Sequence, residues 1–140
     1  MNVLIDTCVF LDLLQERKPF FKDAHGVLLS AANREINGFL TAKALTDLYY
    51  LTHRATHSDA ETRKVLSKLL TVFHLLNTAA IDCQKALLSD ISDFEDAVMI
   101  ETALREGMDC IVTRNAKDYV KSPIKVFSPT AFLKQLREND

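Results

Sequence analysis

A chain of 140 residues, 48% apolar and 26% charged, has the size and balance of one globular domain spanning residues 1–140, which excludes disorder, collagen and coiled coil. Its three glycines, Gly26, Gly38 and Gly107, lie too far apart for a Gly-rich dinucleotide loop or a Walker-type phosphate loop. The net charge of −2 excludes a strongly basic protein, yet charge is segregated: residues 75–109 hold eight acids and two bases, residues 113–137 six bases and one acid. Such blocks suit either an acid-lined site with a basic approach or helices whose charges face solvent.

Cys8, Cys83 and Cys110 are odd in number and include no close pair, so neither a disulfide framework nor a zinc ligand set is expected. The opening Met1-Asn2-Val3-Leu4-Ile5-Asp6 lacks the basic stretch of a secretory leader, and no apolar run approaches the roughly 20 residues that span a bilayer. A reducing cytoplasm, with no membrane partner, is the expected setting.

In chain order, Val3-Leu4-Ile5 reads as a short buried strand. Residues 7–14 and 20–33 carry helical periodicity, with Pro19 suited to a helix start. Residues 36–40 read as a second strand, after which Thr41 can cap a helix to about residue 55. Ser58 or Asp59 opens a helix to about His74, and a third strand is expected around residues 76–80, followed by a short helix at 82–89. Ser92-Asp93-Phe94-Glu95 has the form of a capping box, and the helix it opens should stop at Gly107. Residues 110–113 and 124–127 read as the last strands, and Pro129 starts a C-terminal helix. Strands alternating with helices predict an α/β fold, a three-layer sandwich around a mostly parallel central sheet. Ligands in such sheets sit at the carboxyl ends of the strands, where strand order reverses.

Several oxygen-bearing side chains fall at those ends. Asp6 directly follows the first strand, where a charge is costly unless it is paired, binds a metal or caps the next helix. Asp96 shares a helical stripe with Ile100, Ala103 and Gly107, which should face the sheet; Asp93 lies on the same line, and both acids could instead complement the helix N-terminus. Asp47 is a poor helix-interior residue, although Lys43 stands four residues before it as a surface partner. Thr113-Arg114-Asn115-Ala116-Lys117-Asp118 follows the fourth strand and offers Asn115 and Asp118 as oxygen donors or as turn and cap residues. Converging carboxylates would repel without a cation, and oxygen-only ligands suit Mg²⁺ or Mn²⁺ rather than zinc. Ions so held can activate water and stabilise displacement at phosphorus.

With these residues in order, the sequence resembles a PIN domain, the nuclease fold of VapC-type toxins, over nearly its whole length. Val3-Leu4-Ile5-Asp6-Thr7, Leu45-Thr46-Asp47-Leu48-Tyr49-Tyr50, Asp93-Phe94-Glu95-Asp96-Ala97 and Ile111-Val112-Thr113-Arg114-Asn115-Ala116-Lys117-Asp118-Tyr119 resemble its four successive motifs. The second motif more often carries Glu where Asp47 stands, and Asn115 stands where many members have a fourth acid. The resemblance implies a Mg²⁺- or Mn²⁺-dependent endoribonuclease. Asp6, Asp47, Asp96 and Asn115 would be its catalytic set, and Asp6, Asp96, Asp47 and Asp118 its metal ligands. Thr7, Asp93 and Thr113 would assist, and Arg114 and Lys117 would contact RNA phosphates. It also implies an antitoxin protein as partner and a homodimer. The expected chemistry is hydrolysis at phosphorus leaving a 5′-phosphate.

Other residues offer less. His53 and His57 could chelate a metal if one helix carried both, but no third ligand is evident. Cys8 reads as a small buried residue, and the phenylalanines are spaced as core residues rather than as a base-stacking platform. A phosphoacceptor or phosphatase domain using Asp6 as nucleophile would want a second acid near Asp6, where residue 8 is Cys. The remaining alternative is a catalytically weak or inactive PIN-like module that only binds RNA or a partner.

Overall fold

A computed structural model describes residues 1–139, the side chain of Asp118 excepted. Five strands form one parallel sheet: β1 (Asn2–Ile5), β2 (Asn37–Thr41), β3 (His74–Leu76), β4 (Cys110–Val112) and β5 (Lys125–Phe127), in the spatial order β3-β2-β1-β4-β5. The helices are α1 (Thr7–Leu14), α2 (Phe21–Ala32), α3 (Ala42–Thr56), α4 (Asp59–Leu69), α5 (Ala80–Ala86), α6 (Phe94–Arg105) and α7 (Pro129–Glu138), with one 3-10 turn at Ala116–Tyr119. Strand order reverses at β1, whose neighbours are β2 on one side and β4 on the other.

Alternation along the strands builds the three layers. Val3 and Ile5, with Cys110 and Val112, join one core that includes Phe10, Leu48, Phe73 and Phe132 from the helices and the turn before β3. Leu4 and Ile111 point the other way, into a second core with Ile100 and Ala103 of α6. Both faces of β1 are covered, which is why Val3, Leu4 and Ile5 are a continuous apolar run. Gly38 is required by packing, since a Cβ there would lie 2.6 Å from the Phe73 ring.

Local signals set most element ends. The Thr41 hydroxyl accepts from the Ala44 amide at 3.0 Å and the Ser58 hydroxyl from the Glu61 amide at 3.2 Å, so both are N-caps as expected. Gly107, at φ +70, follows the end of α6 in the left-handed conformation.

Two expectations are corrected, and one open condition is decided. The cap of α6 is Asp93, whose Oδ1 accepts from the Asp96 amide at 3.0 Å, not Ser92. The third strand is His74–Leu76 rather than residues 76–80, because its ladder matches Phe39–Thr41 of β2 and residue 80 already begins α5. As an edge strand it buries only Leu76 of its three residues, so periodicity carried little signal. Helix α3 ends at Thr56 with His57 in the left-handed region at φ 53, so His53 and His57 do not share a helical face. Among the described residues no helix is long and apolar enough to cross a membrane.

Candidate active site

Asp6 takes the N-cap position of α1, yet its side chain makes no capping hydrogen bond. Its Oδ2 instead accepts from the Thr113 hydroxyl at 2.6 Å and faces the Cys8 thiol at 3.4 Å. Thr113 directly follows β4, so the first contact joins the ends of two neighbouring strands where strand order reverses. Thr113 is itself fixed: it is fully buried, and its Oγ1 accepts from the Asn115 amide at 3.2 Å.

A cavity of about 370 Å³ opens at this point. Asp6 and Thr7 line it from the β1–α1 junction, Asp47 from α3, and Glu95 and Asp96 from the first turn of α6. Three of the four positions read from sequence as catalytic thus border one space, brought there from residues 6, 47 and 96. Asp96 is half-buried, and its Oδ1 accepts from the Tyr119 hydroxyl at 2.7 Å. Burial, the charge of Asp6 and the bond to Asp96 push the Tyr119 phenol well above its ordinary pKa, so it stays a donor. Burial and the charge of Asp6 push the Cys8 thiol up to about 11, which keeps it neutral beside the carboxylate.

Lys43 was legible as a partner of Asp47, and it is one: Nζ lies 2.6 Å from Asp47 Oδ2. The same ammonium also reaches Glu95 Oε1 at 3.3 Å, bridging α3 to α6 across the cavity. The hydrogen bond to Asp47 holds the Lys43 pKa above its ordinary value.

The remaining sites divide. Asp93 is exposed and serves as the α6 cap. Asn115 and Lys117 are exposed and do not line the cavity. The Asp118 side chain lies outside the described residues. Arg114, read as a phosphate contact, directs Nε to Asp12 Oδ2 at 2.9 Å and Nη2 to Asp12 Oδ1 at 3.3 Å, with its guanidinium 4.1 Å from the Phe20 ring centroid. Two of its donors are therefore committed to a buried acid of α1.

Sequence reasoning passed over three groups. Asp12 is 1% exposed within Thr7–Leu14, and an acid amid apolar residues was its signal. Asp82 is equally buried: it accepts from Arg105, from the Thr102 hydroxyl at 2.9 Å and from the Ala79 amide at 2.9 Å. Burial pushes its carboxyl up, but those donors outweigh burial and hold it below its ordinary value. Tyr119 ends the fourth motif and carried no polar signal of its own.

The donors around the cavity are oxygens, from Asp6, Asp47, Glu95, Asp96 and Thr7. That chemistry fits a hard divalent cation. Among the described residues no three acidic, histidine or cysteine side chains stand close enough to enclose an ion.

No curated protein sequence matches the chain significantly. Among solved structures, a toxin–antitoxin complex from Klebsiella pneumoniae is similar with a TM-score of 0.67 and 20% identity, over 91% of this chain and 97% of that one. VapBC2 from Rickettsia felis, bound to a promoter DNA fragment, is similar with a TM-score of 0.64 and 15% identity, over 91% and 98%. The Mycobacterium tuberculosis toxin VapC20, described as cleaving the sarcin–ricin loop, is similar with a TM-score of 0.61 and 16% identity, over 78% and 86%. These likenesses establish a shared α/β fold. The PIN domain family profile matches residues 2–117, and with the parallel sheet and the acid-lined cavity at its strand ends, the chain belongs to the PIN domain family.

Proposed function

We propose that this protein is a Mg²⁺- or Mn²⁺-dependent endoribonuclease and the toxin of a toxin–antitoxin pair. The observation that carries the reading is the cavity that Asp6, Asp47 and Asp96 line together at the carboxyl ends of the strands. Asp6 and Asp96 would hold the cation, with Asp47 tuning the shell. When bound, the cation supplies charge neutralisation at the scissile phosphate and lowers the pKa of water there.

The chain's own residues do the rest. Thr113 orients the Asp6 carboxylate and Tyr119 orients that of Asp96, each by a donated hydrogen bond. Lys43 brings positive charge to a cavity whose carboxylates would otherwise repel a phosphodiester. Water attacks phosphorus, the P–O3′ bond breaks, and the products are a 3′-hydroxyl and a 5′-phosphate. The toxin role is supported by family membership and by the toxin–antitoxin character of the Klebsiella complex that shares this fold. An antitoxin partner and a homodimer belong to the same reading, as does a cytoplasmic setting.

The test is cleavage of a mixed RNA pool by the wild-type protein and by Asp6→Asn, with Mn²⁺, Mg²⁺ or EDTA. Metal-dependent cleavage that EDTA and the substitution both abolish is the expected result. Folded wild-type protein that neither cleaves RNA nor takes up Mn²⁺ in a calorimetric titration overturns the reading and leaves a binding module.

A further inference from the structure

Helix α3 presents more to the cavity than Asp47. Lys43, Asp47, Tyr50 and Arg54 are spaced i, i+4, i+7 and i+11, which places them on one face, and all four line the cavity. The stripe extends about 16 Å along the helix axis, room for several bases at the roughly 3.4 Å of a stacked strand. Its chemistry alternates: a cation and an acid at the carboxylate end, then an aromatic ring, then a second cation.

Tyr50 is 67% exposed, unusual for a ring that is large and mostly apolar. Its position is nevertheless defined. Tyr49 packs edge-on against it with ring centroids 5.3 Å apart, and the Tyr49 hydroxyl is held by Asp59, which Arg63 pairs at 2.9 Å. Tyr50 also borders a second depression, formed with Leu45, Thr46, Tyr49, Arg63 and Leu66. It is therefore the partition between an acidic cavity and a more apolar groove. Arg54, one turn beyond, is exposed and makes no ion pair among the described residues.

We propose that this face of α3 is a track for single-stranded RNA, in which a base next to the scissile phosphate stacks on Tyr50 and a neighbouring phosphate meets Arg54. The inference rests on the nuclease reading above and adds to it the two side chains that hold the strand. A base leaving the cavity meets the Tyr50 ring, which offers a π-face that any base can use. A paired base in a duplex keeps its faces covered by its neighbours and cannot stack there, so the track selects unpaired RNA. Arg54 offers planar donors at the spacing of the next helical turn, suited to a phosphate.

The experiment is fluorescence anisotropy of a labelled single-stranded RNA of roughly 12 nucleotides and mixed sequence, in Mn²⁺, with the Asp6→Asn protein as the non-cleaving parent. Tyr50→Ala in that background should weaken binding about 5- to 100-fold, while Tyr50→Trp should bind as well as the parent. Arg54→Gln should make the slope of log affinity against log salt shallower by about 0.7. Both side chains are exposed, so the variants should melt with the parent. Parental affinity and salt slope in Tyr50→Ala and Arg54→Gln would overturn the track while leaving the nuclease reading intact. A parent that binds no RNA overturns the track, and a wild-type protein that in addition neither cleaves RNA nor takes up Mn²⁺ overturns both. Variants that keep RNA binding but lose an antitoxin overturn the track in favour of a protein-docking face.

Discussion

The Thr113 hydroxyl donates to Asp6 Oδ2 at 2.6 Å, tying the carboxyl end of β4 to that of β1. The backbone continues the same connection, with the Asp6 amide donating to the Val112 carbonyl at 2.9 Å. Asp6 is thus held at both its backbone and its carboxylate by the neighbouring strand. Asp96 receives its own donor from Tyr119, two residues past the PIN-domain match. Two acids of one cavity are therefore aimed by the single segment that runs from β4 into the 3-10 turn.

Thr113→Val removes the donor and leaves the volume nearly unchanged. A hydrogen bond to a charged group is worth about 1.5–3 kcal/mol, so cleavage should fall roughly 10- to 100-fold. Thr113→Ser should recover most of it. Single-turnover cleavage of a defined RNA, alongside a calorimetric Mn²⁺ titration, checks both. Equal activity in Val and Ser variants would remove Thr113 from the site.

In the proposed site Lys43 and a divalent cation would compete for the same carboxylate, since Nζ lies 2.6 Å from Asp47 Oδ2. Lys43→Met should tighten Mn²⁺ binding about two- to fivefold, matching the 0.2–1 kcal/mol of an exposed pair. It should also weaken RNA binding, because the cavity loses a positive charge. Calorimetry reads the first effect and anisotropy the second; a loss of Mn²⁺ affinity would contradict the competition.

Arg114 pairs with Asp12, which is 1% exposed. Asp12→Ala strands a partly buried guanidinium and should cost about 3 kcal/mol in urea unfolding, the low end for a buried pair because Arg114 keeps Phe20. The double variant Asp12→Leu with Arg114→Met should be closer to wild type than Asp12→Ala alone, since apolar replacement of both partners spares the desolvation cost. If that double variant also keeps RNA affinity, Arg114 serves the fold; if affinity drops, the guanidinium reaches phosphate as well.

Burial and the nearby Asp109 push the Cys110 thiol from 9.0 to about 12. Its folded pKa lies above its unfolded one, so the contribution to stability is complete below about pH 9 and is lost between there and about 12. Unfolding midpoints should fall as pH rises through that window. Cys110→Ala should be less stable at neutral pH, from lost packing, but show a shallower alkaline decline. Equal slopes in the two proteins would mean the thiol ionises alike folded and unfolded.

Much of this protein was determined locally. Val3-Leu4-Ile5 is a continuous apolar run because β1 is covered on both faces, so both its strand character and its burial were visible. Thr41, Ser58, Pro129 and Gly107 end or begin helices through bonds and dihedrals that reach only a few residues. Asp6 and Asp96 stood out because acids beside apolar neighbours need a reason. The edge strand β3 and the choice of Asp93 over Ser92 as cap were less legible, since one buried residue and two adjacent capping candidates give little contrast.

Only the tertiary structure decided which of those acids share a cavity and what each faces. Lys43 bridges Asp47 to a Glu95 that lies 52 residues away, and Arg114 turns to Asp12 across 102 residues. Such pairings depend on strand order and crossover geometry, which bring distant positions to one sheet edge without leaving a mark on the sequence between them. Periodicity records which face of an element is buried; it carries no record of the partner that buries it. For that reason the strand-end acids were readable one at a time, while the α3 face of Lys43, Asp47, Tyr50 and Arg54 acquires its meaning only beside Asp6 and Asp96.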